Sequence, residues 1–411
     1  MPRSGFHDGK FISRRIPPTS PAPAALPAVS ERPLFRPTAP ISPPAAQQPG
    51  IPGGYRGGGD GRTYTAVAGR PPTPPNERRR SHWRRILGIS LLIATLLFVL
   101  LSGLALHRYS DFGQAISKQG PFTTQTNYMT GSGRINLLVL GYGGAGHDGA
   151  YLTDSIIVMS LIPGDHATTM ISVPRDLWVQ VPPNSGNYAK INAAYQDGFY
   201  NGYNGMPAGR DAGGAEAAAK VSDVLGMPIT YWLTMDFEGF RQLVDALGGV
   251  DINVPTAFTA QYPANDDPSI NPNWKIIHFN AGMQHMNGEQ AIEYARARYV
   301  LTPASEGSDF ARSVRQQLLI RAILSRARQP SAWPGLLNAT NALQNAIYTN
   351  LSLTDLALFS QKLDFTHAAH IGLTEQNVLV GAQSSDGQDI LLPINGDWNA
   401  IRQYVASNLK N

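Results

Sequence analysis

The run ILGISLLIATLLFVLLSGLAL, residues 86–106, constrains this chain more than any other stretch. It carries no charged residue, and at about 1.5 Å per helical residue it spans the ~30 Å hydrocarbon core of a bilayer. RRRSHWRR at 78–85 places five arginines on its N-terminal side, against only His107 and Arg108 directly after it. That asymmetry puts the tail in the cytoplasm and residues 107–411 outside. A cleaved signal peptide begins near residue 1 and has a shorter apolar run, so a retained anchor is expected. A buried core helix is the competing explanation, and the arginine flank opposes it.

The anchor divides the chain. Residues 1–85, with PAPAALP, PPAAQQPGIPGGYRGGG and PPTPP, show no 2 or 3.6 period and read as a disordered Pro/Gly/Arg-rich cytoplasmic tail. The net charge of +4 draws on arginines in this tail and beside the membrane, where anionic lipid accounts for them without nucleic acid. There is no cysteine, which excludes a disulfide framework, a thiolate zinc site and a cysteine nucleophile. An exported domain of this kind rests on its packed core and fits a bacterial envelope most simply.

After a polar stalk at 107–133, INLLVLG, SIIVMSLI and ATTMISVP read as strands, the last two joined by the turn PGDH. GGAEAAAKVSDVL at 213–225 is helical, MPITYWLTM a strand, FEGFRQLVDALGG a helix with a glycine stop, and VDINVP a strand ended by proline. NGEQAIEYARAR starts as a helix and ends extended; 309–328 forms a long amphipathic helix that buries Phe310, Val314, Leu318 and Leu319. Interleaved strands and helices with at least one hairpin predict an α/β fold whose central sheet is mixed and flanked by helices. Residues 329–411 add helices near 334–347 and 352–362, the strand DILLPI and a last helix. They read as a C-terminal α/β extension for packing.

Four stretches can do chemistry. GYGGAGHDGAYLTD (141–154) is glycine-dense, and its backbone can approach a ligand closely. It lacks the Gly-Lys-Ser/Thr of a phosphate loop and the following helix of a dinucleotide fingerprint. Asp154 at the start of a strand suits a hard cation, or else caps the loop as an Asx turn. In SVPRDLWV, Arg175 and Asp176 follow a strand directly, and Lys190 comes soon after. In YARARYV, Arg296 and Arg298 lie on one side, about 6.6 Å apart, if the segment is extended; in a helix they diverge by about 200°. On the helix DFARSVRQQ, Arg312, Arg315 and Gln316 fall together; Arg315 and Arg321 read as a solvated, ion-paired face. So many cations beside apolar strands call for a polyanion, of which pyrophosphate is the simplest that also uses a divalent metal.

From about 134 to 328 the chain resembles the LytR-CpsA-Psr (LCP) family of bacterial envelope proteins, through NLLVLG, LTDSIIVMSLIPGD, TMISVPRDLWVQVP, AKINAAYQDG, GMPITYWLTMDFEGFRQLVDALGGVDINVP, GMQHMNGEQAIEYARAR and DFARSVRQQLL. The resemblance implies an LCP-like catalytic domain at 134–328. It implies a metal-dependent phosphotransferase that moves a glycosyl phosphate polymer from a polyprenyl-pyrophosphate carrier to the wall, the usual acceptor being the C6 hydroxyl of N-acetylmuramic acid in peptidoglycan. Carried across, Asp154 matches a ligand of Mg2+ (or Mn2+). Arg175, Lys190, Arg296, Arg298, Arg312 and Gln316 match groups around the pyrophosphate, and Asp176 orients Arg175 or helps activate the acceptor. The 237–249 helix matches the wall of a cavity for the prenyl tail. Arg175, Asp176 and Arg298 are the expected catalytic residues.

One departure stands in the opening loop. Where the family commonly has a second metal-binding aspartate, this chain has Gly143, and Leu152 stands where an arginine is frequent. Asp148 is the preferred replacement for Mg2+, which favours oxygen; His147 is the better one for Mn2+ or for a contact to phosphate, and the alternative is a metal held by Asp154, pyrophosphate and water. A pyrophosphate hydrolase and a non-catalytic scaffold that binds anionic lipid are the rival functions.

Overall fold

The computed structural model describes residues 77–117, 119, 133–264, 266–269 and 271–410. The expected tail, apart from its last nine residues, and most of the expected stalk lie outside the described residues. Helix α1 (Glu77–Ile116) carries the apolar run, and Ile86–Ile116 is long and apolar enough to cross a membrane. The helix does not give way to a stalk at residue 107. Its last turns carry Phe112 and Ile116 onto Leu343 and Ile347, and the Ser117 hydroxyl donates to the Leu351 carbonyl at 2.5 Å.

The chain continues through β1 (Ile135–Tyr142), β2 (Thr153–Ile162), β3 (Ala167–Ser172), β4 (Trp178–Gln180), β5 (Tyr188–Lys190), α2 (Ala193–Asn201), α3 (Arg210–Leu225), β6 (Tyr231–Asp236), α4 (Phe237–Ala246) and β7 (Val250–Val254). Then come β8 (Phe258–Pro263), β9 (Trp274–Phe279), β10 (Gly282–Met286), α5 (Gly288–Arg296), β11 (Tyr299–Thr302) and α6 (Asp309–Ala327). The last part holds α7 (Trp333–Leu343), β12 (Ile347–Thr349), α8 (Leu353–Lys362), β13 (Ala369–Gly372), β14 (Leu379–Gln383), β15 (Asp389–Pro393) and α9 (Trp398–Asn408).

The central sheet has the order β12-β6-β1-β2-β3-β13. Antiparallel pairs join β1 to β2 and β2 to β3, while β1–β6 and β3–β13 are parallel, so the sheet is mixed as its sequence predicts. Alternate residues of the inner strands serve opposite faces. Leu138, Leu140 and Val158 pack with Tyr195, Val221 and Ile401 from the helical layer of α2, α3 and α9. Leu137, Met159 and Leu161 pack with Phe359 and Leu363 of α8. The C-terminal residues 329–411 thus do more than extend the domain: they supply both edge strands and part of each flanking layer. Residues 75–411 form one compact unit.

A second core gathers Val244 of α4, Ile252 of β7, Phe258 of β8, Tyr294 of α5 and Leu319 of α6. The α4 helix starts where the Asp236 carboxylate caps the Gly239 N–H at 2.7 Å. It stops at Gly248 and Gly249, whose φ values of +76° and +85° favour glycine. The α6 face differs from its expected pattern. Leu319 is buried, but Phe310, in the first turn, is 56% exposed, and the helix buries Arg315 and Gln317 instead.

Glu216 of α3 is fully buried. Burial, with Asp197 beside it, pushes its carboxyl up to about 8. A raised folded-state value means stability that is complete below about pH 4.5 and is lost as pH rises through about 8. Glu216→Gln removes that loss: its Tm should match wild type at pH 5 and exceed it by roughly 5 °C at pH 8.5, read by thermal unfolding at both pH values.

Candidate active site

The site forms where β2 begins. Asp154, its second residue, sits among guanidiniums: Arg175 Nη1 donates to Oδ1 at 2.5 Å, Arg298 Nη2 to Oδ1 at 3.4 Å, and Arg296 Nη2 to Oδ2 at 3.5 Å. Burial alone would raise the Asp154 carboxyl, but Arg175, Arg296 and Arg298 outweigh it and hold it below the usual range. The carboxylate therefore does not cap its own loop as an Asx turn would. Arg298 shows the opposite strain: burial, then repulsion from Arg175, brings its guanidinium down to about 10, with Arg312 and Arg296 adding to the effect.

Backbone pairing brings the neighbours in. The Asn192 N–H donates to the Arg175 carbonyl at 3.3 Å, and the Thr153 N–H donates to the Asn192 carbonyl at 3.1 Å. These bonds tie the loop after β3 to the start of β2. Lys190 pairs across β4–β5 with Trp178 and its Nζ reaches Asp176 Oδ1 at 2.8 Å. Asp176 also stands 3.5 Å from Arg175 Nε, so it holds both cations. On α6, Arg312 pairs with Asp309, and Gln316 Oε1 accepts from the Ser155 hydroxyl at 3.2 Å, one residue from Asp154.

Arg296 and Arg298 converge without the extended strand that alone predicted it. Arg296 is the last residue of α5, and Ala297 leaves the helix at φ −52°, ψ 116°. One residue of changed backbone turns Arg298 back to the carboxylate that Arg296 reaches. Arg315 secures that break and is no solvated ion-pair residue, contrary to its sequence reading. It is 2% exposed and donates to the carbonyls of Tyr294 at 2.9 Å and Ala297 at 2.7 Å. These are acceptors that the end of α5 would otherwise leave open. Arg321 likewise donates to the Phe365 carbonyl at 2.7 Å.

Asp266 was not foreseen. It is 6% exposed, accepts from Tyr262 Oη at 2.5 Å, pairs with Arg241, and lies 3.4 Å from Arg296 Nη1. Its loop, PANDDPS, reads only as a polar turn.

The glycine loop folds on itself, with Gly144 N–H bonded to the Ala150 carbonyl at 2.9 Å. Gly144 adopts φ +90°, and a Cβ there would lie 3.0 Å from Asp236 Cβ. A Cβ on Gly143 would meet His147 Cβ at 2.9 Å. The histidine thus fills the space beside Gly143, with its ring edge-on to Phe237, while Asp148 is exposed. Asp267 anchors both: it accepts the Asp148 N–H at 2.6 Å and lies 3.8 Å from His147 Nδ1. Asp154, Asp148 and His147 do not form a protein-only metal cage. Among the described residues no group of three or more His, Cys, Asp or Glu is placed to hold an ion, and both Asp154 oxygens face guanidiniums.

A strand-end carboxylate ringed by arginines, on a mixed sheet between helical layers, belongs to a recognisable class. The LytR_cpsA_psr family model matches residues 105–401. The chain belongs to that family, the LytR-CpsA-Psr family of cell-envelope glycopolymer transferases. It is 31% identical over 204 residues to the polyisoprenyl-teichoic acid–peptidoglycan teichoic acid transferase TagV of Bacillus subtilis (strain 168), covering 49% of this chain and 46% of that protein. Similarity to the TagU transferase of Enterococcus faecalis (strain ATCC 700802 / V583) is 25% over 312 residues, 73% of this chain and 89% of that one. The chain spans about half the length of the first of these relatives (46%) and 64% of the TagU of Bacillus mycoides (strain KBAB4). The crystal structure of B. subtilis TagV shares the fold, with a TM-score of 0.50 at 24% identity over 68% of this chain and 98% of that one. Protein gbs0355 from Streptococcus agalactiae shares it too, at 0.51 and 24%, over 70% and 91%.

Removing the Asp154 charge leaves three guanidiniums facing one another. Asp154→Asn should cost on the order of 2 kcal/mol, less than the about 3–5 kcal/mol of a fully buried pair because the cluster is partly solvated. Added pyrophosphate should raise the variant's Tm more than that of wild type. Equal stabilisation of both proteins would show that the arginines do not depend on an anion.

Proposed function

We propose that this chain transfers a glycosyl phosphate polymer from a polyprenyl-pyrophosphate carrier to a cell-wall acceptor hydroxyl. The C6 hydroxyl of N-acetylmuramic acid in peptidoglycan is the acceptor this reading favours. One observation carries it: Arg175, Arg296 and Arg298 share a single carboxylate, and burial together with the neighbouring guanidiniums weakens the hold of Arg298 on its proton. Asp176 and Asp266 add partners for Arg175 and Arg296, but Arg298 leans on the shared carboxylate at 3.4 Å, and guanidinium forks match phosphate oxygens.

In this reading Arg175, Arg296, Arg298 and Arg312 take the pyrophosphate oxygens, with Lys190 and Gln316 at the margin. Asp176 positions Arg175 and Lys190. The acceptor oxygen bonds to the phosphorus that carries the sugar, the bond to the bridging oxygen breaks, and polyprenyl phosphate leaves as the hydroxyl proton passes to solvent. The arginines stabilise charge on the departing phosphate, the kind of contribution that dominates phosphoryl transfer. Family membership implies a divalent cation, Mg2+ or Mn2+, which would supply further charge neutralisation; Asp154 is the carboxylate in the cluster that could face it. In this reading the domain lies on the extracytoplasmic side of a bacterial membrane, where lipid-linked donor and wall meet, and the N-terminus lies in the cytoplasm; the arginines before the apolar run support that orientation.

The test uses the full chain in bilayer nanodiscs with a lipid-pyrophosphate-linked saccharide and soluble peptidoglycan fragments. Arg175→Ala and Arg298→Ala should each lower transfer about 100-fold or more, the usual cost of losing one charge-stabilising donor. Undiminished transfer in both variants would refute the site. Release of the saccharide phosphate to water, with none on peptidoglycan, would make the chain a hydrolase.

A further inference from the structure

A cavity opens beside the arginine cluster. It has a volume of about 500 Å³ and is lined by Asp176, Asp309, Glu375, Gly381, Ala382, Gln383, Asp389, Ile390 and Leu391. That size falls within the ~300–1,000 Å³ range of small-ligand sites. Most of its wall is the β14–β15 hairpin, a two-stranded sheet paired from Leu379–Pro393 to Gln383–Asp389 and separate from the central sheet. The hairpin is fastened to the site: Leu391 N–H donates to the Asp176 carbonyl at 3.0 Å, and Leu391 bridges to Leu177. Asp176 therefore borders the cavity while its carboxylate holds Lys190 and stands beside Arg175.

The lining selects its ligand by charge. Asp176, Asp309, Glu375 and Asp389 border the space, and none of its lining residues is cationic. Asp176 is ion-paired with Arg175 and Lys190 and Asp309 with Arg312, so Glu375 and Asp389 on the hairpin side set the charge of this wall, which disfavours a polyanion there. The carboxylates do not gather into a cation site, because no three acidic or histidine side chains among the described residues stand close enough to hold an ion. A ligand rich in hydroxyl donors, such as a saccharide, suits this wall. Carboxylates and the Gln383 amide accept from hydroxyls, while Ala382, Ile390 and Leu391 offer an apolar patch to the C–H side of a sugar ring. Gly381 keeps the space open: a Cβ there would lie 2.6 Å from Glu375 Oε1.

We infer that this cavity is the acceptor subsite, which binds a hydroxyl-bearing saccharide and delivers its hydroxyl past Asp176 to the phosphorus held by the arginines. The inference rests on the transfer reading above and adds to it where the acceptor binds. Donor and acceptor take different walls, the pyrophosphate on the guanidinium side and the hydroxyl-bearing sugar ring on the hairpin side. A segment with no evident chemistry in the sequence, residues 375–391, becomes part of the reaction.

The experiment uses the full chain and a soluble peptidoglycan disaccharide-peptide. Asp389→Ala and Gln383→Ala act on the exposed hairpin, and Gly381→Val fills the cavity without backbone strain. Each should raise the KM for the fragment about tenfold or more, keep kcat within about twofold, and leave affinity for the lipid-pyrophosphate donor unchanged. Saturation-transfer NMR should show fragment bound to wild type and weakened in all three variants. An unchanged acceptor KM and unchanged binding in the variants would overturn the inference, as would equal losses of donor affinity. A wild-type chain that binds the fragment in a manner lost on Asp389→Ala, yet never transfers, would uphold the cavity and refute the transfer reading. A wild type that neither binds nor transfers would refute both.

Discussion

The site depends on one unbalanced interaction, a carboxylate at the start of β2 shared by three guanidiniums. Without Asp154, the side chains of Arg175, Arg296 and Arg298 would have no common counter-charge, and their mutual repulsion would splay them into solvent. With it, they converge but remain under-neutralised. That intermediate condition is what a binding site for a polyanion requires. A fully paired cluster would gain little from a ligand, and an unpaired one would not hold its shape.

Convergence of this kind needs rigid supports, and the fold supplies a separate one for each cation. Arg175 hangs from a loop pinned by backbone bonds between Asn192, Arg175 and Thr153. Arg296 is held on its far side by Asp266, itself bonded to Tyr262 and paired with Arg241. Arg298 owes its direction to the break after α5, which Arg315 secures by taking the carbonyls of Tyr294 and Ala297. A buried arginine that satisfies backbone acceptors thus positions an arginine that does not. The cost of burying Arg315 is offset by those bonds and by its ion pair with Glu306.

These supports mark the boundary of what residue patterns disclose. The strands around β1, the PGDH hairpin, the glycine stop after α4 and the long α6 are local signals, carried by apolar period and turn chemistry, and each is found in the structure. Asp154, Arg175, Arg296, Arg298 and Arg312 could be singled out because charged side chains next to buried strands are conspicuous, and Gln316 because it falls beside Arg312 on one helical face. Arg315 was misread because its partners are main-chain carbonyls more than a turn away in another element, which leave no trace in the pattern of charges. Asp266 hid in a polar turn for the same reason: its partners lie on α4, β8 and α5. The arginine pair was posed as a choice between strand and helix, and the chain instead places the break between the two residues. The C-terminal residues looked like mere packing because edge strands of only three or four residues are too short for their period to show.

The same long-range logic explains the glycine loop. Gly143 is not an empty position, since the side chain of His147 returns over it and packs on Phe237. The Arg296 guanidinium also lies against this ring, 3.8 Å from its centroid. One aromatic ring therefore links the loop histidine, by an edge-on contact, to an arginine of the cluster, by a cation–π contact. Glycine at 143 and 144 permits this fold-back, because a side chain at either would collide with His147 or Asp236. The loop is thus better understood as a packed flank of the arginine cluster than as a cradle made of backbone N–H groups. Its glycines serve the close approach of the loop's own side chains.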